Sequence, residues 1–269
     1  MSAEGTQTNI SRAQAAFIRR ARRHERAVSL ARVLALALLL GLWELGARLY
    51  WFDPFIMSSP SRVFATILRL LSEGSLFLHI GVTLYETILG FLSGTGLGIL
   101  LAVLLWWLPT LAQIADPYLV VLNALPKIAL GPVLIVWIGA GQASIIVMAI
   151  LISFVVTTVT VLNGFSATTE EKQLLMRTLG ASKWQIFQKV VLPASVPDMI
   201  AALKISVGMS WVGVIVGEYL VSKAGLGYLI VYGGQVFKLD LVMASVVILC
   251  VLAALMYFLV AFAEKKLRN

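Results

Sequence analysis

The chain has 269 residues, of which 60% are hydrophobic and only 13% are charged, and its mean hydropathy is +0.94. A soluble globular domain typically carries about 25% charged residues, so this composition excludes that class and indicates an integral membrane protein. The apolar runs are long and lack strand-type alternation, which favours membrane-spanning helices. The formal net charge of +8 comes largely from Lys and Arg grouped at the ends of segments, which is a signal of membrane topology.

Residues 1–27 are polar and then basic, and they predict a tail or a surface helix with too few apolar residues for a core. Anionic lipid headgroups account for the arginines of this tail, and an RNA-binding arm is the alternative. Residues 28–50 form the first predicted span, because this run has about the 20 residues that cross a bilayer. A signal peptide is the other interpretation, but no small-x-small cleavage site follows, so we expect a retained anchor.

The segment after the first span is predicted to lie outside the membrane and to contain a short amphipathic helix. Ser59 precedes Pro60, which is the arrangement of an N-cap followed by a residue suited to the first helical turn. Apolar residues then recur at helical spacing, and the helix should end near Gly74.

The second predicted span covers residues 79–108. Gly90, Gly94 and Gly98 fall four residues apart on one face of this helix, and such a stripe of small residues predicts close packing against another membrane helix. Glu86 lies in the same span and therefore needs a buried partner or water.

The third predicted span, residues 117–138, is expected to start at Asp116-Pro117 and to be broken in the middle. Pro126 and the pair Gly131-Pro132 interrupt its body, and prolines remove backbone donors from a helix. Lys127 lies near the middle of the membrane in this prediction. An unpaired ammonium is costly there, so Lys127 requires a carboxylate, a cavity or an anion, and Glu86 is a candidate carboxylate.

The fourth predicted span is residues 144–163, and a coupling loop of residues 164–198 follows it. The part from Glu170 to Pro197 is the longest polar interruption of the later chain, and its apolar residues are spaced as helix, tight turn and helix. Gly180 is placed to adopt a positive φ at the end of the first helix, and Ser182 is placed to cap the second.

This loop resembles the EAA loop of binding-protein-dependent ABC transporter permeases. Gly180, nine intervening residues and then Val190-x-Leu192-Pro193 match the second part of that motif, whereas Leu174-Leu175-Met176 stand where the family has Glu-Ala-Ala. In the family the loop contains the coupling helix that sits in a cleft of the ATPase subunit. The resemblance therefore assigns ATPase coupling to Leu179, Gly180, Ala181, Ser182, Trp184, Val190, Leu192 and Pro193.

The last two predicted spans are residues 199–221 and 241–263, with a glycine-rich external or re-entrant segment between them. Lys204 lies near the cytoplasmic end of the fifth span and is expected to snorkel to the interface. Glu218 approaches the outer face. Cys250, the only cysteine, excludes an intramolecular disulfide and is expected to be a small buried hydrophobe.

The distribution of basic residues tests this arrangement. Fourteen Lys and Arg lie in the tail together with Arg32, in the coupling loop and at the C-terminus, whereas five lie in the segments assigned to the outside. The asymmetry predicts six spans with both termini and the coupling loop in the cytoplasm. The resemblance to ABC permeases implies that the membrane is a bacterial cell membrane.

Motifs for hydrolytic chemistry are missing from the sequence: it contains no phosphate-binding loop, no H-E-x-x-H, no G-x-S-x-G and no C-x-x-C. With only two histidines, a metal cluster is not expected. The chain is therefore predicted to be a transport subunit without an ATP-hydrolysing site of its own, and an intramembrane enzyme is the least supported class.

Residues from about Ser58 to Leu267 are similar to the nitrate/sulfonate/taurine/bicarbonate group of ABC importers. The resemblance implies an all-α type I importer permease fold over residues 28–267. It also implies a permease homodimer, a cytoplasmic ATPase subunit that binds ATP and Mg²⁺, and an extracytoplasmic substrate-binding protein.

A small anion such as a sulfonate, taurine, nitrate or bicarbonate is the expected substrate. The candidate pathway residues are Asn123, Pro126, Lys127, Glu86 and Glu218. The rival interpretation is a secondary transporter or channel driven by an ion gradient, which would use Glu86, Lys127 and Glu218 as an intramembrane relay.

Overall fold

The computed structural model describes residues 12–168 and 170–268, and these residues form helices joined by short turns without any β-strand. The helices, in chain order, are α1 (Arg12–Arg48), α2 (Pro54–Met57), α3 (Pro60–Ser72), α4 (Ser75–Trp107), α5 (Pro109–Ala124), α6 (Gly131–Ile138), α7 (Gln142–Ser166), α8 (Glu170–Thr178), α9 (Lys183–Ile186), α10 (Leu192–Val221), α11 (Leu226–Gln235) and α12 (Leu239–Arg268). A 3₁₀ turn (Lys127–Leu130) precedes α6, and a π-helical turn (Phe187–Val191) joins α9 to α10.

Five stretches of helix in the described part of the chain are long and apolar enough to cross a membrane, and a bent pair of helices brings the number to six. The five are Arg23–Arg48, Ser75–Trp107, Gln142–Ser166, Lys183–Val221 and Leu239–Lys266. The predicted all-α membrane architecture is confirmed, and the number of candidate spans equals the predicted six when the bent pair is counted as one span.

The chain divides into two compact units, one up to Arg62 and one from Val63 onward. In the first unit, α1 already begins at Arg12, well before the predicted start of the span. Near its other end, the Glu44 carboxylate pairs with Arg48 at 2.8 Å and accepts hydrogen bonds from the backbone N–H and hydroxyl of Ser61, both at 3.0 Å. Ser59 caps α3 through a 3.4 Å bond from the N–H of Arg62, as predicted.

Helix α7 lies at the centre of the second unit, where it packs against α4 on one side and α10 on the other. The predicted glycine stripe of α4 forms the first of these contacts. A Cβ atom at Gly94 would lie 2.9 Å from the carbonyl oxygen of Ile150, and one at Gly98 would lie 2.7 Å from the Cβ of Thr157. The packing role of the stripe is confirmed, because any larger side chain there would force the two helices apart.

Buried hydroxyl groups add hydrogen bonds to these helix contacts. Thr158 donates from its Oγ1 to the carbonyl of Gly98 at 3.3 Å, and Ser195 donates from its Oγ to the carbonyl of Gly164 at 3.1 Å. Thr157 and Ser206 share a hydrogen bond of 2.5 Å between α7 and α10. Small and hydroxylated residues thus hold the three helices together, as is common inside membrane proteins.

The predicted third span is broken as expected. Its two parts, Pro109–Ala124 and Lys127–Ile138, meet at an angle of 89° at Leu125-Pro126. The predicted start at Asp116-Pro117 was wrong, since α5 begins at Pro109 and Pro117 lies inside it. Pro109 follows the end of α4 after one residue, Leu108, and occupies the first turn of α5, where a missing N–H costs no internal hydrogen bond.

No helix end marks the boundary predicted between the coupling loop and the fifth span. Helical structure is continuous from Lys183 to Val221 and passes through Pro193 and Pro197. In the π-helical turn before Pro193, the N–H of Leu192 bonds to the carbonyl of Phe187, five residues back. This widened turn absorbs the proline, whose ring would clash with the preceding turn of a regular α-helix.

Two side chains of the last spans had been assigned surroundings from the sequence. Lys204 forms an ion pair with Glu264 of α12 at 2.5 Å, and its snorkelling to the interface stays a prediction. The expectation that Cys250 is buried was wrong: it is exposed, because it lies on a face of α12 that no other described helix covers. The glycine-rich segment between these spans forms helix α11, whose Leu226 and Leu229 pack with Leu241 and Ile248 of α12.

Candidate functional site

The turn between α8 and α9 has the geometry that its glycine predicts. Gly180 has a φ of +79°, and its N–H donates to the carbonyl of Arg177 at 3.0 Å. The N–H of Ala181 donates to the carbonyl of Met176 at 2.9 Å. These two bonds form a Schellman motif, which satisfies the last carbonyls of α8 and reverses the chain.

Ser182 caps the second helix of the pair. Its side chain accepts a hydrogen bond of 3.3 Å from the N–H of Gln185, and the side chain of Gln185 accepts one of 2.8 Å from the N–H of Ser182. This reciprocal capping box satisfies two N–H groups that the first turn of α9 would leave without partners. The turn is therefore held on one side by backbone–backbone hydrogen bonds and on the other by hydrogen bonds between side chains and the backbone.

Large apolar side chains of this helix-turn-helix are more than half exposed, although one face of Trp184 packs against Trp107 and Phe187. Leu179 is 73% exposed and Trp184 is 57% exposed. Leu174 and Leu175 of α8 are exposed to a similar degree. Such a group beside charged residues on a capped, rigid turn is typical of a surface that contacts another protein.

The remaining predicted coupling residues lie at and after the turn. Ala181 is half-buried, whereas Gly180 and Ser182 are exposed. Val190 and Leu192 are half-buried and Pro193 is exposed, and these three belong to the helix that continues into α10.

The residues that anchor this turn to α4 and α7 were not predicted from the sequence. Phe187 and Ile186 are buried in a cluster with Phe165 of α7 and Ala102 of α4. Lys183 lies over the tryptophans at the end of α4. The only sequence signal for this contact is the pair Trp106-Trp107 at the end of an apolar run, and nothing in the sequence says what the pair contacts.

A cavity of about 720 Å³ adjoins the turn. Its walls carry apolar side chains, amides and charges of both signs, and they include Trp106, Gln113, Phe165, Glu171, Arg177 and Lys183. The buried hydroxyl of Thr168 also lines it.

The predicted pathway residues Asn123, Pro126 and Lys127 lie together at the break between α5 and the 3₁₀ turn. The ammonium of Lys127 donates to the backbone carbonyl of Asn123 at 3.1 Å. A lysine at the C-terminal end of a helix is favourable there, because the last carbonyls lack partners and carry partial negative charge. The chain bends by 89° at this point.

The other two predicted pathway residues, Glu86 and Glu218, are brought together inside the helix bundle. Their side chains are 0% and 1% exposed, and the carboxyl group of Glu86 faces that of Glu218. In the described part of the chain neither oxygen of Glu86 has a hydrogen bond of good geometry, and no ion pair joins Glu86 to Lys127. The suggestion that Glu86 is the carboxylate partner of Lys127 was therefore wrong.

Glu218 belongs to α10, and its side chain reaches the N-terminus of α11. Its carboxylate accepts hydrogen bonds from the N–H groups of Gly227 at 2.5 Å and Tyr228 at 3.4 Å, and from the hydroxyl of Thr83 at 2.7 Å. A carboxylate is well placed at the positive end of a helix dipole. Glu218 thus joins α10 to α11 and, through Thr83, to α4.

A family model described as the inner membrane component of binding-protein-dependent transport systems matches residues 94–269, which include the coupling loop and Glu218. The chain belongs to this family. It is an ABC transporter permease, and its predicted recognition as such is confirmed.

Named relatives and a solved structure agree with this membership. The permease is 29% identical to a putative aliphatic sulfonates transport permease, SsuC of Bacillus subtilis, over 86% of this chain and 84% of the relative. It is 32% identical to the formylaminopyrimidine transport permease ThiX of Halalkalibacterium halodurans, over 71% of this chain and 76% of the relative. An inward-facing structure of the MetNI methionine ABC transporter has the same fold, with a TM-score of 0.60, 21% identity and coverage of 69% of this chain and 92% of that chain.

Membership sets the role of the permease. It is a multi-pass component of the inner membrane that transports a substrate and does not hydrolyse ATP. The family also implies an ATPase subunit and a substrate-binding protein as partners.

Proposed function

We propose that the ATPase subunit docks on the helix-turn-helix of α8 and α9, within the predicted coupling loop of residues 164–198. The observation that carries this proposal is the exposure of Leu174, Leu175, Leu179 and Trp184 on a turn that is capped on both sides. These apolar side chains lie outside the membrane spans, where they contact water. Their burial by a partner protein would therefore contribute favourably to the free energy of binding. The rigid turn presents them without an added entropic cost of ordering.

The proposed orientation places the coupling loop and both termini in the cytoplasm. Fourteen of the Lys and Arg residues lie on that side and five on the other. The ATPase is then on the side of the membrane where ATP is present, and ATP and Mg²⁺ are bound by that subunit.

The proposed assembly has two copies of the permease, two ATPase subunits and one extracytoplasmic binding protein that delivers the substrate. Closure of the ATPases on ATP would draw the two coupling loops together. The spans would then rock from an inward-facing to an outward-facing arrangement, and hydrolysis would reset them.

A small anion is the proposed substrate class, with Asn123, Pro126 and Lys127 lining the pathway. The name of the Bacillus relative refers to aliphatic sulfonates, which are anions, and Lys127 supplies a cation at the break of the third span. Irregular backbone at membrane depth is expected where it faces a water-filled cavity. Glu86 and Glu218 are part of the same proposal, but both are buried within one chain, so they would act from inside the helix bundle and not at the surface of the pathway.

The docking proposal is tested by exchanging an exposed apolar residue of the turn for a charged one. Leu179→Glu should reduce the amount of ATPase subunit that co-purifies with the tagged permease, because a carboxylate would be placed in an apolar contact. Gln188→Glu adds the same charge to an exposed position of the π-helical turn and serves as the control. Equal ATPase recovery with Leu179→Glu and with the unchanged permease would refute docking at this turn.

A further inference from the structure

Lys183 connects the turn after Gly180 to the end of a distant helix. Its ammonium donates to the backbone carbonyl of Trp107 at 2.5 Å and lies 5.5 and 5.4 Å from the ring centroids of Trp106 and Trp107. Trp107 is the last residue of α4, where carbonyls have no partner within their own helix. A cation at this end also complements the helix dipole, so Lys183 caps a helix that ends 76 residues before it.

Aromatic rings form a second contact between the same elements. Phe187 packs against Trp106 with 4.9 Å between ring centroids, against Phe165 with 5.6 Å and against Trp184 with 6.0 Å. Trp107 in turn packs against Trp184 with 6.0 Å between centroids. These are the separations and tilted or edge-on arrangements that aromatic pairs favour.

The two halves of the helix-turn-helix are therefore held differently. In α8, Leu174 and Leu175 are exposed, whereas α9 and the π-helical turn are fixed to α4 by Trp106 and Trp107 and to α7 by Phe165. The same α9 continues as helix into α10. A displacement of the turn thus reaches three spans: α10 through the continuous helix, and α4 and α7 through side chains.

We propose that Trp106, Trp107, Lys183, Trp184 and Phe187 form a clasp that transmits motion of the coupling turn to α4, with Lys183 as its positioning residue. This inference rests on the proposed docking of the ATPase at the turn. It adds that transmission to α4 depends on a cation bound to the end of that helix. Without this bond only the aromatic contacts would join the turn to α4, so α4 would follow a displacement of the turn less closely.

Lys183 can be changed without removing buried apolar surface, because the residue is exposed. Lys183→Met keeps the length and the apolar stem of the side chain but removes the donor and the charge. Lys183→Arg keeps a cation and N–H donors that can reach the same carbonyl and stack on the same rings. The pair of variants separates the cationic contact from the packing.

The experiment uses the permease in complex with its ATPase and binding protein in proteoliposomes. Transport and ATP hydrolysis are measured together, and the ratio of substrate moved to ATP hydrolysed is the readout. Lys183→Met should keep ATP hydrolysis and ATPase co-purification while this ratio falls by at least about fivefold, the lower end of typical coupling between sites. Lys183→Arg should restore most of the ratio.

The distance between α4 and the π-helical turn provides a second readout. A general loss of stability would not by itself produce a change in this distance that depends on ATP. Spin labels at Leu104→Cys and Gln188→Cys, in a Cys250→Ser background, report the separation of the two elements. The distance distribution should be narrow and equal in the resting and ATP-bound states of the unchanged clasp. In Lys183→Met it should broaden on ATP binding.

Several outcomes would overturn the clasp. The clasp would be refuted if Lys183→Met kept both the ratio of substrate moved to ATP hydrolysed and a narrow distance distribution. It would also be refuted if this ratio fell equally in Lys183→Met and Lys183→Arg. Loss of ATPase co-purification in Lys183→Met would place Lys183 on the docking surface instead, which supports the proposed function but not the clasp. If Leu179→Glu leaves docking intact, the proposed function fails, and the distance measurement still tests the clasp.

Discussion

The carboxylate of Glu218 accepts a hydrogen bond of 2.5 Å from the backbone N–H of Gly227, nine residues later in the chain. A Cβ atom at Gly227 would lie 2.8 Å from the same carboxylate oxygen, so the close approach requires glycine. Thr83 extends the contact, since its hydroxyl donates to Glu218 and accepts from the N–H of Leu226 at 2.8 Å. One buried carboxylate thus orders the turn between the fifth and sixth spans.

Glu218→Leu should destabilise the permease, because the N–H of Gly227 and the hydroxyl of Thr83 would lose a buried acceptor. Leaving a buried donor without its acceptor costs about 1–3 kcal/mol. We expect a clear drop in the thermal unfolding midpoint of the detergent-solubilised protein. Glu264→Gln removes a partly exposed carboxylate that pairs with Lys204 and should have a smaller effect. Equal midpoints for Glu218→Leu and the unchanged protein would contradict the capping role.

Gly94→Ala should weaken the contact between α4 and α7. Its Cβ would lie 2.9 Å from the carbonyl oxygen of Ile150, so the helices must separate, and overpacking of this kind costs about 1–3 kcal/mol. Gly96→Ala, two residues away on the same helix, is the matched control, since no atom lies within 4 Å of its Cβ position. Unfolding midpoints of the two variants in one detergent test the prediction, and a loss in Gly96→Ala as large as in Gly94→Ala would argue against the seam.

Gly180→Val should uncouple ATP hydrolysis from transport while the protein stays inserted in the membrane. No neighbouring atom obstructs a side chain at Gly180, but its φ of +79° is unfavourable for L-residues by about 1–2 kcal/mol, and branching at Cβ adds to this. The capped turn would therefore rearrange. Gly180→Asn is the control, because asparagine tolerates this conformation. Normal transport per ATP by Gly180→Val would show that the turn geometry is dispensable.

Lys127→Met should weaken the apparent affinity for an anionic substrate, because the cation proposed to face the pathway is removed. Lys127→Arg keeps the charge and should retain most of the affinity. Uptake measured over a range of substrate concentrations, with the same binding protein, provides the comparison. If Lys127→Met transports with an unchanged apparent affinity, Lys127 serves only to cap α5.

Much of the fold follows from local features of the sequence. Long apolar runs must be helical in a bilayer, because only helices satisfy their own backbone groups there. Gly180 and Ser182 determine their turn through positive φ and capping, and Pro126 breaks its span through a missing N–H. Each of these effects acts within a few residues, so the sequence by itself predicted them.

The contacts between distant residues were decided by the tertiary structure. Glu86 faces Glu218 rather than Lys127, Lys183 caps α4 at Trp107, and the helix continues through Pro193 because a π-helical turn precedes it. Helical periodicity specifies which side chains share a face of a helix. It does not specify which faces of two helices pack together, or how the helices are shifted relative to each other along their axes. Those choices depend on how α4, α7 and α10 pack, and only the folded chain brings residues separated by 76 or 135 positions into one hydrogen bond.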